Sequence, residues 1–96
     1  MHAQLAAATF ESYSQDQVDR ICAAVYRAAF DNRVRLAEMV VEETGMGRVE
    51  SKIMKNVLAS QYVWDDIKDL RTVGVVGERE GIIEVAKPMG VVLAVI

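Results

Sequence analysis

One cysteine, one proline and one histidine stand among the 96 residues, and each scarcity removes a class of explanation. The single thiol, Cys22, excludes an internal disulfide framework and is compatible with a reducing cytosol. A lone histidine, His2, cannot build a metal site by itself and reads as a terminal residue without a role. No apolar run reaches the roughly 18–20 residues of a membrane span. The opening Met1-His2-Ala3-Gln4 lacks the charged-then-apolar order of a secretory signal. Positive charge is not in excess: 11 Lys and Arg face 14 Asp and Glu, for a net charge of −3, with the two signs interspersed. That excludes the basic patch of a nucleic-acid surface and gives no attraction to an anionic membrane. What is present, 52% hydrophobic and 26% charged residues, is the composition of a globular chain rather than a disordered one. A chain this short buries only a modest core.

The first two-thirds carry helical signals. Ala3 to Thr9 is alanine-rich and helix-permissive, and Phe10 to Tyr13 breaks the pattern. Ser14-Gln15-Asp16-Gln17 has the form of a capping box, in which Ser14 and Gln17 satisfy each other's backbone N–H groups. Asp16 adds negative charge where the helix dipole favours it. Val18, Ile21, Cys22, Val25 and Ala29 follow at helical spacing and predict one apolar stripe. Asn32 is a candidate cap for the next helix. That helix is expected to bury Val34, Leu36, Ala37, Val40 and Val41 and to close at Gly45 in the left-handed conformation. A third helix is expected from about Val49 to Leu70, with a stripe of Val49, Ile53, Val57, Trp64 and Ile67 widened by Met54, Leu58 and Val63.

From Arg71 the period changes. Thr72 to Val76 and Ile82 to Ala86 are β-rich runs around the polar stretch Gly77-Glu78-Arg79-Glu80-Gly81, which predicts a hairpin. Its apolar face, Val73, Val75, Ile83 and Val85, has nothing in the chain to cover it, and an isolated hairpin is marginal in water. Subunit contact is therefore the expected role of the hairpin. Lys87-Pro88-Met89-Gly90 breaks the ladder. The closing run, Gly90-Val91-Val92-Leu93-Ala94-Val95-Ile96, carries no polar residue and reads as a strand buried on both faces of a parallel sheet. Such a strand needs neighbours that the preceding residues do not supply, so the chain is expected to be a piece of a larger α/β domain.

Most residues that suggest chemistry have a simpler explanation. Glu42 and Glu43 occupy neighbouring helical positions, which do not face each other, and read as solvated carboxylates. Gly45-Met46-Gly47 closes a helix instead of following a strand, so it reads as a cap and not a phosphate loop. Lys52 and Lys55 read as a solvated helix face. Tyr26, Tyr62 and Trp64 fit helix packing, since no basic groove accompanies them. Cys22 sits mid-stripe between Val18 and Val25, where an inert buried thiol is expected.

Three features taken together carry a resemblance. They are Glu43-Thr44-Gly45-Met46-Gly47-Arg48-Val49-Glu50 with Lys52, Lys55 and Asn56; Lys87-Pro88-Met89-Gly90-Val91-Val92; and the order of helices, hairpin and apolar strand. This arrangement resembles the N-terminal part of the aldehyde dehydrogenase superfamily. The Thr-Gly-Met-Gly form with the downstream Lys-Asn is similar to the coenzyme A-acylating branch, above all to the aldehyde half of bifunctional aldehyde–alcohol dehydrogenases. Ser14 to Asp19 and Gly81 to Pro88 support that narrower match.

The resemblance implies an α/β fold made of N-terminal helices, a β-hairpin and the first strand of a Rossmann-like NAD-binding domain. Residues 1–71 would be the helical part, 72–88 an oligomerisation hairpin, and 89–96 the first strand of the parallel sheet. It implies a cytoplasmic homo-oligomer that interconverts acyl-CoA and NADH with aldehyde, NAD and free coenzyme A. In that family a cysteine thiolate forms a thiohemiacetal, hydride passes to NAD, and coenzyme A intercepts the thioester. The catalytic cysteine lies far downstream, so Cys22 is not its counterpart and no catalytic residue or metal ligand is expected here. Ligands of open α/β sheets bind beyond the carboxyl ends of the strands. By resemblance, Val95 and Ile96 would therefore border the dinucleotide pocket, although plain sheet core is an equally simple reading for Val95. Two rivals stand beside this expectation. One is a hydrolytic aldehyde dehydrogenase, in which water takes the acyl group. The other is a free-standing helical module that joins a partner by strand addition.

Overall fold

The computed structural model describes residues 2–96. The described residues form α1 (His2–Phe10), α2 (Gln15–Asp31), α3 (Arg33–Thr44), α4 (Val49–Val57) and α5 (Val63–Ile67), followed by β1 (Gly74–Arg79) and β2 (Ile82–Ala86). They divide into two compact units. Met1–Val18 with Leu70–Ile96 make one, and Asp19–Asp69 make the other.

The Asp19–Asp69 unit is helical. α3 closes as its sequence predicts: Gly45 adopts φ 64°, and its N–H donates to the Val41 carbonyl. Only a residue without Cβ enters that region freely. The Thr44 hydroxyl donates to the Val40 carbonyl at 2.7 Å and accepts from the Met46 N–H at 3.2 Å, finishing the turn. Asn32 does occupy the N-cap position of α3, but its side chain makes no capping bond there. The amide instead donates back to the Ala28 carbonyl at 2.8 Å and so terminates α2.

Packing within this unit centres on Ala37, 1% exposed, with Val40 and Val41 half-buried beside it. Val49, Ile53, Asn56, Val57 and Trp64 form the half-buried face of α4 and α5. Asn56 ties the helices together by donating its amide to the Arg33 carbonyl at 2.9 Å. Trp64 stacks on Tyr26 at 5.6 Å and 8°, and Tyr26 meets Phe30 at 6.0 Å. The Arg33 guanidinium lies 4.0 Å above the Phe30 ring. Tyr26 and Trp64 thus pack helices, as expected, whereas Tyr62 is exposed.

The expected long third helix is interrupted. Leu58–Tyr62 forms a π-helical turn between α4 and α5. The buried Ser60 hydroxyl donates to the Asn56 carbonyl at 2.6 Å. It competes there with the backbone donor, and such back-bonding loosens a helical ladder.

The other unit contains the capping box as predicted. The Ser14 N–H donates to Gln17 Oε1 at 2.9 Å, and the Gln17 N–H donates to Ser14 Oγ at 3.3 Å. β1 and β2 pair antiparallel, with Val75 opposite Val85. The loop between them is shorter than the sequence suggests. Glu78 and Arg79 lie in the ladder, and only Glu80 (φ 52°) and Gly81 (φ 79°) make the turn. Two successive positive φ values are what a type I′ hairpin turn demands. A bulge between Val75 and Gly77 leaves Val76 unpaired and sets Glu78 opposite Ile83. The bulge admits one more residue on β1 than on β2. It also places a carboxylate on what was expected to be a wholly apolar face.

Large apolar side chains remain uncovered throughout. The chain exposes 8146 Å², whereas a folded monomer of its 10.6 kDa exposes about 5,500 Å². The expected α2 stripe shows this clearly: Val18 is buried, but Ile21 is 41% and Val25 64% exposed, and Cys22 is exposed too. The reading of Cys22 as a buried thiol is corrected accordingly. Among the apolar and aromatic residues of α2, half-burial falls instead on Ala23, Tyr26 and Phe30. Val34, Leu36, Met54, Leu58, Val63 and Ile67 are exposed as well, against expectation.

Candidate functional site

The segment after β2 opens with Lys87-Pro88, and Pro88, which has no N–H to donate, cannot extend the ladder. Gly90, at φ 84°, turns the chain, and Val91 to Ile96 then run without regular structure. A strand exists only in a ladder, and among the described residues the one sheet holds β1 and β2 alone. Val92 is 75% exposed, Leu93 88%, and Val95 and Ile96 protrude still further.

The start of the segment lies along α1. Ala3, Ala6, Ala7 and Phe10 recur at i, i+3, i+4 and i+7 and so share one helical face. With Pro88, Met89, Gly90 and Val91 they line an open groove of about 360 Å³. Every lining side chain is apolar. The groove can hold an apolar side chain, but it offers no side-chain donor or charge for a phosphate or carboxylate. Sequence reading missed it, although the spacing of small residues on α1 was a usable signal.

At this same open end of the hairpin, one side chain holds the residues that lead into β1. Gln15 Oε1 accepts from the Thr72 N–H at 2.7 Å and the Val73 N–H at 3.0 Å, while Gln15 Nε2 donates to Thr72 Oγ1 at 2.9 Å. The partners are 57 and 58 residues away in sequence, so no local pattern announces them.

The remaining candidates are not brought together into a site. Glu42 and Glu43 are exposed near the end of α3, as solvated carboxylates should be. Gly45 is the helix cap, and Gly47 (φ 84°) leaves room for the Lys52 side chain, whose Cε would lie 2.9 Å from a Cβ built there. Lys52 is half-buried by that approach, while Lys55 is exposed. Among the described residues, no group of three or more His, Cys, Asp or Glu is placed to hold a metal. No described helix is long and apolar enough to cross a membrane.

No family model matches the chain. Similarity to individual proteins is extensive. The aldehyde-alcohol dehydrogenase of Clostridium acetobutylicum is 45% identical over 89 residues, which cover 91% of this chain and 10% of that protein. The acetylating succinate-semialdehyde dehydrogenase of Clostridium kluyveri is 43% identical over 94 residues, covering 96% of this chain and 21% of that protein. The crystal structure of an acetylating aldehyde dehydrogenase from Geobacillus thermoglucosidasius superposes with a TM-score of 0.78 at 41% identity, over 81% of this chain and 17% of the other. The relatives thus include bifunctional aldehyde-alcohol dehydrogenases and aldehyde dehydrogenases named as acetylating or acylating. The chain spans about a tenth of the length of the aldehyde-alcohol dehydrogenase and about a fifth of the succinate-semialdehyde dehydrogenase. The helix-rich architecture with its antiparallel hairpin matches the acetylating enzyme's structure, as the sequence resemblance anticipated.

Proposed function

We propose that this chain is the opening part of a coenzyme A-acylating aldehyde dehydrogenase, the enzyme class that converts aldehyde, coenzyme A and NAD into acyl-CoA and NADH. The observation that carries the reading is the 45% identity to an aldehyde-alcohol dehydrogenase over 91% of this chain. The cytoplasm is the compartment that fits such an enzyme.

In this reading Val91 to Ile96 become a strand of the dinucleotide-binding sheet, and their exposed apolar side chains are covered on both faces by helices. Val95 and Ile96 stand at the carboxyl end of that strand, where open α/β sheets receive ligands. Being purely apolar, they suit the wall of an NAD pocket and not its phosphate contacts. NAD, when bound, accepts the hydride. The task of this chain's residues is to shape the pocket edge and exclude water from it. In this reading the acyl-carrying thiolate lies downstream of these residues, and the exposed Cys22 on α2 is not its counterpart.

The 72–88 hairpin is the subunit contact in this reading. Val75 and Val85 stand opposite each other, more than half exposed, and a second subunit covering them would complete the sheet face.

The test is NADH formation by the full-length enzyme from acetaldehyde and NAD, with and without coenzyme A. Turnover that requires coenzyme A is expected. Equal turnover in its absence would assign the hydrolytic reaction instead.

A further inference from the structure

We infer that Gln15 is a positioning residue for subunit assembly: it fixes the base of the hairpin to the first turn of α2. The inference rests on the reading of the hairpin as the subunit contact. Three hydrogen bonds of 2.7, 2.9 and 3.0 Å join this one side chain to Thr72 and Val73. A primary amide can supply two acceptor sites and a donor in a single plane, and here it meets two successive backbone N–H groups and a hydroxyl. The same residue opens α2, immediately after Ser14 of the capping box. The helix start is thus held by Ser14 and Gln17, and the hairpin base is held by the residue between them. Thr72 and Val73 precede β1 and lie outside the ladder, so hairpin pairing itself does not hold them. The direction in which the hairpin leaves the chain therefore depends on this contact.

The experiment compares full-length wild type, Gln15→Ala, Gln15→Glu and Val75→Asp by sedimentation and by backbone amide exchange. Gln15→Ala is expected to speed exchange at Thr72 and Val73 and to weaken assembly about tenfold or more, the scale of one to two lost hydrogen bonds. Exchange within Asp19–Asp69 should be unchanged. Gln15→Glu keeps both acceptor bonds and should assemble nearly as wild type, a rescue that a general loss of stability would not produce. Val75→Asp is expected to abolish assembly through the hairpin face. If Val75→Asp blocks assembly while Gln15→Ala does not, the positioning role of Gln15 is overturned and the hairpin reading stands. If Val75→Asp assembles normally, the hairpin reading itself fails, and the inference fails with it.

Discussion

Replacing Val92 and Leu93 by lysine is expected to disperse a chain that otherwise associates. The two side chains are 75% and 88% exposed, in a run whose backbone has no ladder partner. Burying an aliphatic side chain of this size contributes about 1.5–3 kcal/mol, so the pair offers about 3–6 kcal/mol to any copy that covers it. Association itself costs roughly 4–15 kcal/mol, so these two residues alone do not drive it. They act with Val91, Val95, Ile96 and the exposed hairpin valines, and with an unpaired backbone that templates strand addition. At about 1.4 kcal/mol per tenfold change in affinity, removing the pair should weaken self-association by about two to four orders of magnitude. Sedimentation velocity of the 96-residue chain over a concentration series reads this directly. Wild type should shift to larger species as concentration rises, and the double lysine variant should not. A wild-type monomer with a sharp, concentration-independent unfolding transition would refute the reasoning.

Three further outcomes follow from local geometry. Ser14→Ala and Gln17→Ala should each weaken the start of α2 by about 1 kcal/mol, with faster amide exchange at Gln17 and at Ser14 respectively. Gly81→Val should destabilise the hairpin by about 1–2 kcal/mol, because a β-branched residue is forced to the positive φ of the turn. Exchange at β1 and β2 amides should rise together, while Glu80→Asn should slow it. Ala37→Leu should destabilise the helical unit by about 1–3 kcal/mol, since the 1%-exposed methyl leaves no space for three more carbons. Thermal unfolding followed by far-ultraviolet circular dichroism would measure the drop.

The features legible in the sequence are those whose cause is local. The Ser14–Gln17 box and the Gly45 cap each need only a few neighbouring residues, and each forms as the sequence implies. The hairpin is legible as an element, but its turn is not: Glu80 at positive φ and the bulge at Val76 are set by pairing between strands, which a run of residues does not display. Asn32 takes the N-cap position that the sequence implies, but its side chain makes no capping bond to α3 and its amide donates to the Ala28 carbonyl of the preceding helix, a choice between two helices that the local sequence does not display. Cys22 shows a different limit. Its place on an apolar stripe predicts burial only if a partner covers the stripe, and within these residues Ile21, Cys22 and Val25 stay exposed. Val95 and Ile96 belong to the same class, since their role depends on strands and helices these residues do not contain. The Gln15 clamp, spanning more than half the chain, had no sequence signal at all.

The most direct test of the account is amide exchange at Val91 to Val95, measured in the full-length enzyme and in the 96-residue chain. The account predicts slow exchange in the enzyme, where the segment pairs along both edges as a sheet strand, and fast exchange in the short chain. Fast exchange in both would contradict it.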